Sequence, residues 1–209
     1  MIPLHREVRA IVGDAPILRP PARRADFMGM PAATFYTAEM VLALPPDGNR
    51  YETVRGELLV TPAPRKWHQE IVGRLYRRLS DYLDRHPFGH ALLSPADISW
   101  GSDSLVQPDV FVVSPEQART MEWRGMTDLL LIAEVLSPSS LRADRFTKRR
   151  LYQEVGVGTY WVIDPDVREV EVWTPDAVFP AAPAVSLHWH PAGAAVPFVL
   201  PLEELFRPI

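Results

Sequence analysis

The chain contains no cysteine among its 209 residues. This absence excludes disulfides, thiolate nucleophiles and cysteine-ligated zinc, and it leaves carboxylate and imidazole groups as the plausible side-chain ligands for a metal. Any metal that the protein binds is therefore expected to be a hard cation.

Long apolar runs and an excess of positive charge are also missing. No run approaches the ~18 residues of a membrane span, and the N-terminus lacks the apolar stretch of a secretory signal, so we expect a soluble, cytoplasmic protein. The net charge of −4 argues against indiscriminate nucleic-acid binding, which depends on phosphate neutralisation. Arginine-rich segments at residues 74–85 and 142–150 could each form a local basic surface or a solvated helix face.

Composition and periodicity predict one domain with an N-terminal extension. Residues 1–33 are rich in Pro, Arg and Ala and show no sustained period, which indicates an arm or variable lead-in. Residues 34–209 are long enough for a single well-cored domain.

Helical and strand patterns follow one another through this domain. Two strand segments lie around a glycine within residues 51–60, and Val72, Leu75, Leu79 and Tyr82 recur at helical spacing in the next segment. The predicted order is a helix at residues 65–85, strands at 90–100, 109–113 and 129–136, a helix at 141–155, a hairpin over 159–174, and an edge strand near 187–190. This order predicts an α/β (α+β) fold with a central mixed sheet flanked by helices.

Glu134 interrupts a strand that is otherwise apolar on both faces. An ionised carboxylate in such a place is costly unless a positive group pairs with it, so either a metal or a basic side chain is expected nearby. Asp109 stands at the entrance of another apolar strand, where it could be a turn residue or a second ligand. Two carboxylates are enough for Mg²⁺, which keeps several waters.

Lys148 lies in the helix that follows Glu134. With Asp144 and Tyr152 it forms an i, i+4, i+8 line, so one side of the helix offers an acid, a cation and a phenol. Read in isolation, the same line describes an ordinary surface pair of Asp144 and Lys148.

These residues belong to an ordered series of short motifs. The series is Pro108-Asp109-Val110, then Glu134-Val135-Leu136-Ser137-Pro138-Ser139, then Asp144 and Lys148, then Gly156-Val157, then Tyr160-Trp161-Val162-Ile163-Asp164-Pro165. The series resembles the Uma2 family of the PD-(D/E)XK nuclease superfamily, over about residues 38–174. The resemblance implies a restriction-endonuclease-like core with a metal held at Asp109 and Glu134.

One position departs from the superfamily pattern. The lysine expected two residues after the second acid is Leu136 in this chain. Lys148 is the natural substitute, because a cation from the next helix could enter the same pocket.

The resemblance further implies Mg²⁺- or Mn²⁺-assisted hydrolysis of DNA phosphodiester bonds. Asp109, Glu134 and the carbonyl of Val135 would hold the metal, and Lys148 would orient the water or neutralise charge on the phosphate. Glu57 and His68 are further candidates, for a second metal or a proton relay, although a single histidine near a helix start is more often a cap or packing residue.

Two other functions remain open. A nuclease-like module could bind DNA or a protein partner without cutting, and a purely structural module would use Glu134 only to pair with Arg142 or Lys148. If the protein cuts both strands of DNA, a two-fold homodimer is the simplest assembly. The target sequence cannot be read from a single chain.

Overall fold

The computed structural model describes residues 35–120, 122–123 and 125–209. The arm predicted for residues 1–33 lies outside them. The elements in chain order are α1 (Ala38–Leu42), β1 (Arg50–Val54), β2 (Glu57–Thr61), α2 (Lys66–Arg85), β3 (His90–Leu93), β4 (Ile98–Ser99), β5 (Leu105–Val106), β6 (Val110–Val113), α3 (Pro115–Ala118), β7 (Leu129–Val135), a π-helical segment (Ala143–Lys148), α4 (Arg149–Glu154), β8 (Tyr160–Asp164), β9 (Glu169–Trp173), β10 (Ser186–Trp189), β11 (Phe198–Pro201) and α5 (Leu202–Leu205).

The five-stranded central sheet has the order β3-β6-β7-β8-β9. Strands β7 and β8 are parallel and the other neighbouring pairs are antiparallel, so the sheet is mixed, as the sequence predicts. The π-helical segment and α4 make the crossover that two parallel strands require. Both faces of β7 are covered, which explains its almost continuous apolar sequence.

Different layers cover the two faces of this sheet. On one face, α2 packs its fully buried Ile71, Leu75 and Leu79 together with β10, β11 and α5. On the other face lie α4 and a second sheet of order β2-β1-β5-β4. The acids of the site described below lie between the central sheet and this second layer.

Several local predictions are confirmed. The amphipathic helix predicted for residues 65–85 is α2, and the hairpin predicted after Gly158 is β8 and β9. Strands β1 and β2 are antiparallel around Arg55 and Gly56, which both have positive φ. Glycine tolerates that conformation at no steric cost.

Two strand predictions are wrong in their extent or pairing. The strand predicted for residues 90–100 is divided, because Pro95 has no amide hydrogen for the ladder; β3 ends at Leu93, and β4 belongs to the second sheet. The predicted edge strand near residues 187–190 does not join the central sheet. It is β10, which pairs only with β11 in a separate two-stranded sheet.

The helix predicted for residues 141–155 contains an irregular turn. Residues Ala143–Lys148 are π-helical, and a regular α-helix follows only over Arg149–Glu154. Turns of this kind occur often at functional sites. Here the π-helical segment carries two buried charged residues, Asp144 and Lys148.

Arg74 is buried and is an exception to the interpretation of the first arginine-rich segment as a solvated helix face, since Arg77 and Arg85 are exposed. Its side chain is 5% exposed. It pairs with Glu70 and donates hydrogen bonds to the carbonyl oxygens of Leu205, at 3.1 Å, and Arg207. Arg74 therefore ties α2 to the C-terminal segment.

We expect Arg74→Met to lower the free energy of unfolding by about 1–3 kcal/mol, because buried carbonyl oxygens would lose their donors. Urea unfolding measures this change. Arg77→Met is the matched control, since Arg77 is exposed on the same helix. Equal stability of the two variants would contradict the role assigned to Arg74.

Candidate active site

Asp109 and Glu134 lie side by side at one end of the central sheet. Strands β6 and β7 are antiparallel with Val110 opposite Ala133, so the residue before β6 comes next to the end of β7. The backbone N–H of Asp109 donates to Glu134 Oε2 at 3.4 Å, and the N–H of Val135 donates to Asp109 Oδ2 at 2.9 Å. The two acids thus converge in the structure.

Lys148 reaches the same place from the π-helical segment. Its Nζ lies 3.0 Å from Glu134 Oε1, 2.9 Å from Glu52 Oε1 and 3.3 Å from Asp144 Oδ1. The hydroxyl of Tyr152, one turn further along the chain, also donates to Glu134 Oε1, at 3.0 Å. The line of Asp144, Lys148 and Tyr152 is therefore not a surface pair, because Lys148 is only 1% exposed.

Glu52 is one of two site residues that the sequence analysis missed, and Arg50 is the other. Glu52 lies in the middle of β1 and is 1% exposed. Besides Lys148, it receives a hydrogen bond from the backbone N–H of Gln107 at 2.7 Å. The signal that could have found it is strand alternation, which places Glu52 on the same face of β1 as the buried Val54.

Arg50 lies two residues before Glu52 on the same face of β1. Its Nη1 donates to Asp109 Oδ1 at 2.9 Å and to the carbonyl of Gln107 at 3.1 Å, and its Nε lies 3.7 Å from Glu52 Oε2. The side chain is 21% exposed. Arg50 therefore bridges two of the acids at the edge of the cluster.

His68 belongs to this site, and Glu57 does not. His68 lies in the first turn of α2, where its Nε2 is 3.0 Å from Asp109 Oδ2. Its Nδ1 is buried and has no hydrogen-bond partner within the described residues. Glu57, at the start of β2, is exposed and makes no contact with the cluster in the described part of the chain.

A cleft of about 600 Å³ opens next to these residues. Arg50, His68 and Asp109 contribute to its wall. Glu52, Glu134 and Lys148 do not line it and are at most 1% exposed. Asp109 thus lines the cleft and also contacts the buried Glu134 behind it.

The pKa values of the two central acids are shifted in opposite directions. Burial raises the pKa of Glu134 well above its usual range; Lys148 opposes this, and Asp144, Asp109 and Glu52 add to it. Burial also tends to raise the pKa of Asp109, but the hydrogen bond to His68 and the charge of Arg50 hold that pKa well below its usual range. The surroundings of Asp109 therefore favour its ionised form, whereas burial favours the protonated form of Glu134.

Lys148 stays charged in these surroundings. Burial tends to lower its pKa, but the carboxylates of Glu134, Glu52 and Asp144 outweigh burial and raise the pKa above its usual value. Burial is also the largest cause of the raised pKa of Asp144. Around Lys148 the buried carboxyl groups are in excess over the cations.

This excess suits a divalent cation. Four buried acids (Glu52, Asp109, Glu134 and Asp144) meet two permanent cations, Arg50 and Lys148. Within the described residues no three Asp, Glu or His side chains form a preformed metal cage. Mg²⁺ is commonly held by one or two carboxylates together with water and substrate phosphate, so a full cage is not needed.

Comparisons with known proteins identify the fold and the family of the chain. The chain has the fold of a solved protein from Anabaena variabilis described as a "putative nuclease belonging to DUF820", with a TM-score of 0.66 and 22% sequence identity over 82% of this chain and 97% of that one. The fold is thus nuclease-like. The chain belongs to the Uma2 family, described as "Putative restriction endonuclease", whose model matches residues 38–190. No curated protein matches it.

We expect Asp109→Asn to lower the free energy of unfolding at about pH 7 by on the order of 2 kcal/mol. A carboxyl whose pKa is depressed by folding stabilises the native state above its unfolded pKa of about 3.9, and this contribution is lost as the pH falls below that value. Urea unfolding across this pH range, without metal, measures the effect.

The difference between the wild type and Asp109→Asn should therefore shrink as the solution is acidified. The control is Asp166→Asn, at an exposed turn between β8 and β9. A difference that stays constant with pH would mean that the charge of Asp109 contributes nothing to stability.

Proposed function

We propose that the protein is a divalent-metal-dependent endonuclease that hydrolyses phosphodiester bonds in DNA. The observation that carries this proposal is the excess of buried carboxyl groups around Asp109, placed behind a cleft in a nuclease-like fold. Membership of the Uma2 family supports it.

Asp109, Glu134 and the carbonyl of Val135 would hold Mg²⁺ or Mn²⁺. The N–H of Val135 points at Asp109, and the N–H and C=O of a strand residue point to the same side, which places the carbonyl towards Asp109 as well. When bound, the metal would lower the pKa of a water molecule and polarise the phosphate.

Lys148 replaces the lysine that the superfamily pattern expects at position 136. Leu136 is 4% exposed and packs in the apolar core, so that position supplies no cation. Lys148 reaches Glu134 from the next helix instead. In the proposed reaction it orients the attacking water or neutralises charge on the phosphate.

His68 is the candidate for proton transfer in the cleft. Its Nε2 is bound to Asp109, which holds the ring in place, and its Nδ1 lacks a protein partner within the described residues. An imidazole in this position could accept a proton from water or pass one to a leaving group. Holding a second metal is the other role open to it.

A second function has its own supporting observation. The carboxylate oxygens of Asp109 and Glu134 are already bound by Arg50, His68, Lys148 and Tyr152. A cluster satisfied in this way could be purely structural, in a module that binds DNA or a protein partner without cutting it.

The proposed substrate has consequences for assembly and location. Cutting both strands of a duplex is simplest for a two-fold homodimer, and we propose that the protein meets its DNA in the cytoplasm. Within the part of the chain that the structure describes, no helix is long and apolar enough to cross a membrane.

Glu52 and Glu57 form a matched pair of variants for testing the proposal. We expect wild-type protein to cleave linear, supercoiled or single-stranded DNA in Mg²⁺ or Mn²⁺, and Glu52→Gln to lose about 10–100-fold in rate because the charge next to Lys148 is removed. Glu57→Gln should keep the wild-type rate, since Glu57 lies outside the cluster. Gel electrophoresis of the products measures cleavage, and circular dichroism verifies folding.

Two outcomes would contradict the proposal in different ways. If the folded wild type cleaves none of these substrates but binds them, the non-cutting module is the correct function. If Glu57→Gln loses activity while Glu52→Gln keeps it, the cluster around Lys148 is not the active site.

We expect Lys148→Ala to reduce cleavage by about a hundredfold or more, because a group that stabilises charge in the transition state is lost. It should also alter Mn²⁺ affinity, since Lys148 contacts Glu134 directly. Arg150→Ala, at an exposed position on the same helix, is the control. Unchanged metal binding and unchanged cleavage in folded Lys148→Ala would refute the substitution of Lys148 for the missing lysine.

Loss of Lys148 also leaves buried acids without a partner, which can cost about 3–5 kcal/mol. The double variant Glu134→Gln/Lys148→Met removes one of these acids together with the lysine, and it should therefore lose less stability than Lys148→Met alone. It should fold and should not cleave DNA.

A further inference from the structure

Arg50 is hydrogen-bonded to a carboxylate oxygen of Asp109, one of the proposed metal ligands. Its Nη1 donates to Oδ1 of Asp109, and its Nε faces Oε2 of Glu52 at 3.7 Å. The other oxygen of Asp109 already accepts from His68 and from the amide of Val135. Oδ1 is therefore the oxygen whose side-chain partner must move if Asp109 is to bind a cation from the cleft.

A guanidinium and a divalent cation cannot share this place without a large repulsion. A Mg²⁺ ligand oxygen lies ~2.0–2.1 Å from the metal, and Nη1 lies 2.9 Å from the same oxygen, so the two charges would be close neighbours in a poorly solvated site. Arginine remains protonated in proteins and cannot relieve the repulsion by losing its charge. Relief requires the side chain to move.

Arg50 is free to move in a way that Lys148 is not. The Arg50 side chain is 21% exposed and lines the cleft, whereas Lys148 is 1% exposed and enclosed by three carboxylates. Arg50 can turn into the cleft of about 600 Å³ while the rest of the cluster stays in place. Of the two cations that neutralise the acids, Lys148 is thus fixed and Arg50 can be displaced.

We propose that Arg50 is a displaceable counter-ion of the active site: it neutralises Asp109 and Glu52 in the metal-free protein and leaves them when a divalent cation binds. This inference rests on the proposed metal-dependent function. It makes Arg50 a positioning residue that sets the metal affinity of the site.

Mn²⁺ binding to the full-length protein without DNA tests the inference directly. We expect Arg50→Gln to bind Mn²⁺ on the order of tenfold more tightly than the wild type, because the competing charge is gone. Arg50→Lys keeps the charge but not the planar fork and should fall between them. Arg55→Gln is the control, at the exposed end of the same hairpin. Electron paramagnetic resonance of free Mn²⁺ measures the affinities.

Thermal unfolding with and without Mn²⁺ provides a second readout. Since the contacts of Arg50 exist only in the metal-free state, Arg50→Gln should lower Tm without metal, and saturating Mn²⁺ should abolish or reverse the difference. A purely structural role predicts the same loss of Tm in both conditions and an unchanged Mn²⁺ affinity. That result would overturn the inference.

Failure of this inference can be told apart from failure of the proposed function. If the wild type, Arg50→Lys and Arg50→Gln all fail to bind Mn²⁺, both the inference and the metal dependence are overturned. If all three bind Mn²⁺ with equal affinity and the wild type cleaves DNA, the inference alone is overturned. Tighter binding by Arg50→Gln, with Arg55→Gln unchanged, supports it.

Discussion

Neutralisation of buried carboxylates is the constraint on which this structure depends. Four acids lie at one end of the central sheet with almost no exposure to water, and such groups are stable there only with positive partners or bound protons. The buried Lys148 provides one positive partner, since it contacts three of the acids. Arg50, which lines the cleft, provides the other and pairs with Asp109.

The charged residues of the cluster come from several elements of the fold. Asp109 and Glu134 come from neighbouring central strands, Glu52 and Arg50 from β1 of the second sheet, and Lys148 from the π-helical crossover. The second sheet therefore contributes two residues of the charge cluster and does more than cover a face of the central sheet. Position 136 is occupied by a core leucine, and Lys148 comes from the crossover.

Local patterns were sufficient to predict much of this arrangement. The helical spacing of apolar residues predicted α2, and a segment that is apolar on both faces predicted β7. The single acid in that segment made Glu134 a site candidate. The line of Asp144 and Lys148 predicted an acid and a cation on one side of the helix, and Lys148 contacts Glu134 and Glu52 as well as Asp144. The π-helical turn was not predicted, because its pattern resembles that of an ordinary helix over so few residues.

The sequence by itself determined the family, the central mixed sheet and the acids that define its end, because these depend on periodicity and on residues in fixed order. Only the tertiary structure decided that Glu52 and not Glu57 joins Lys148, that Arg50 binds Asp109, and that His68 contacts the same carboxylate. Such contacts join residues far apart in the chain. They depend on how β1 and α2 pack against the central sheet, and no short-range pattern of residues encodes that packing.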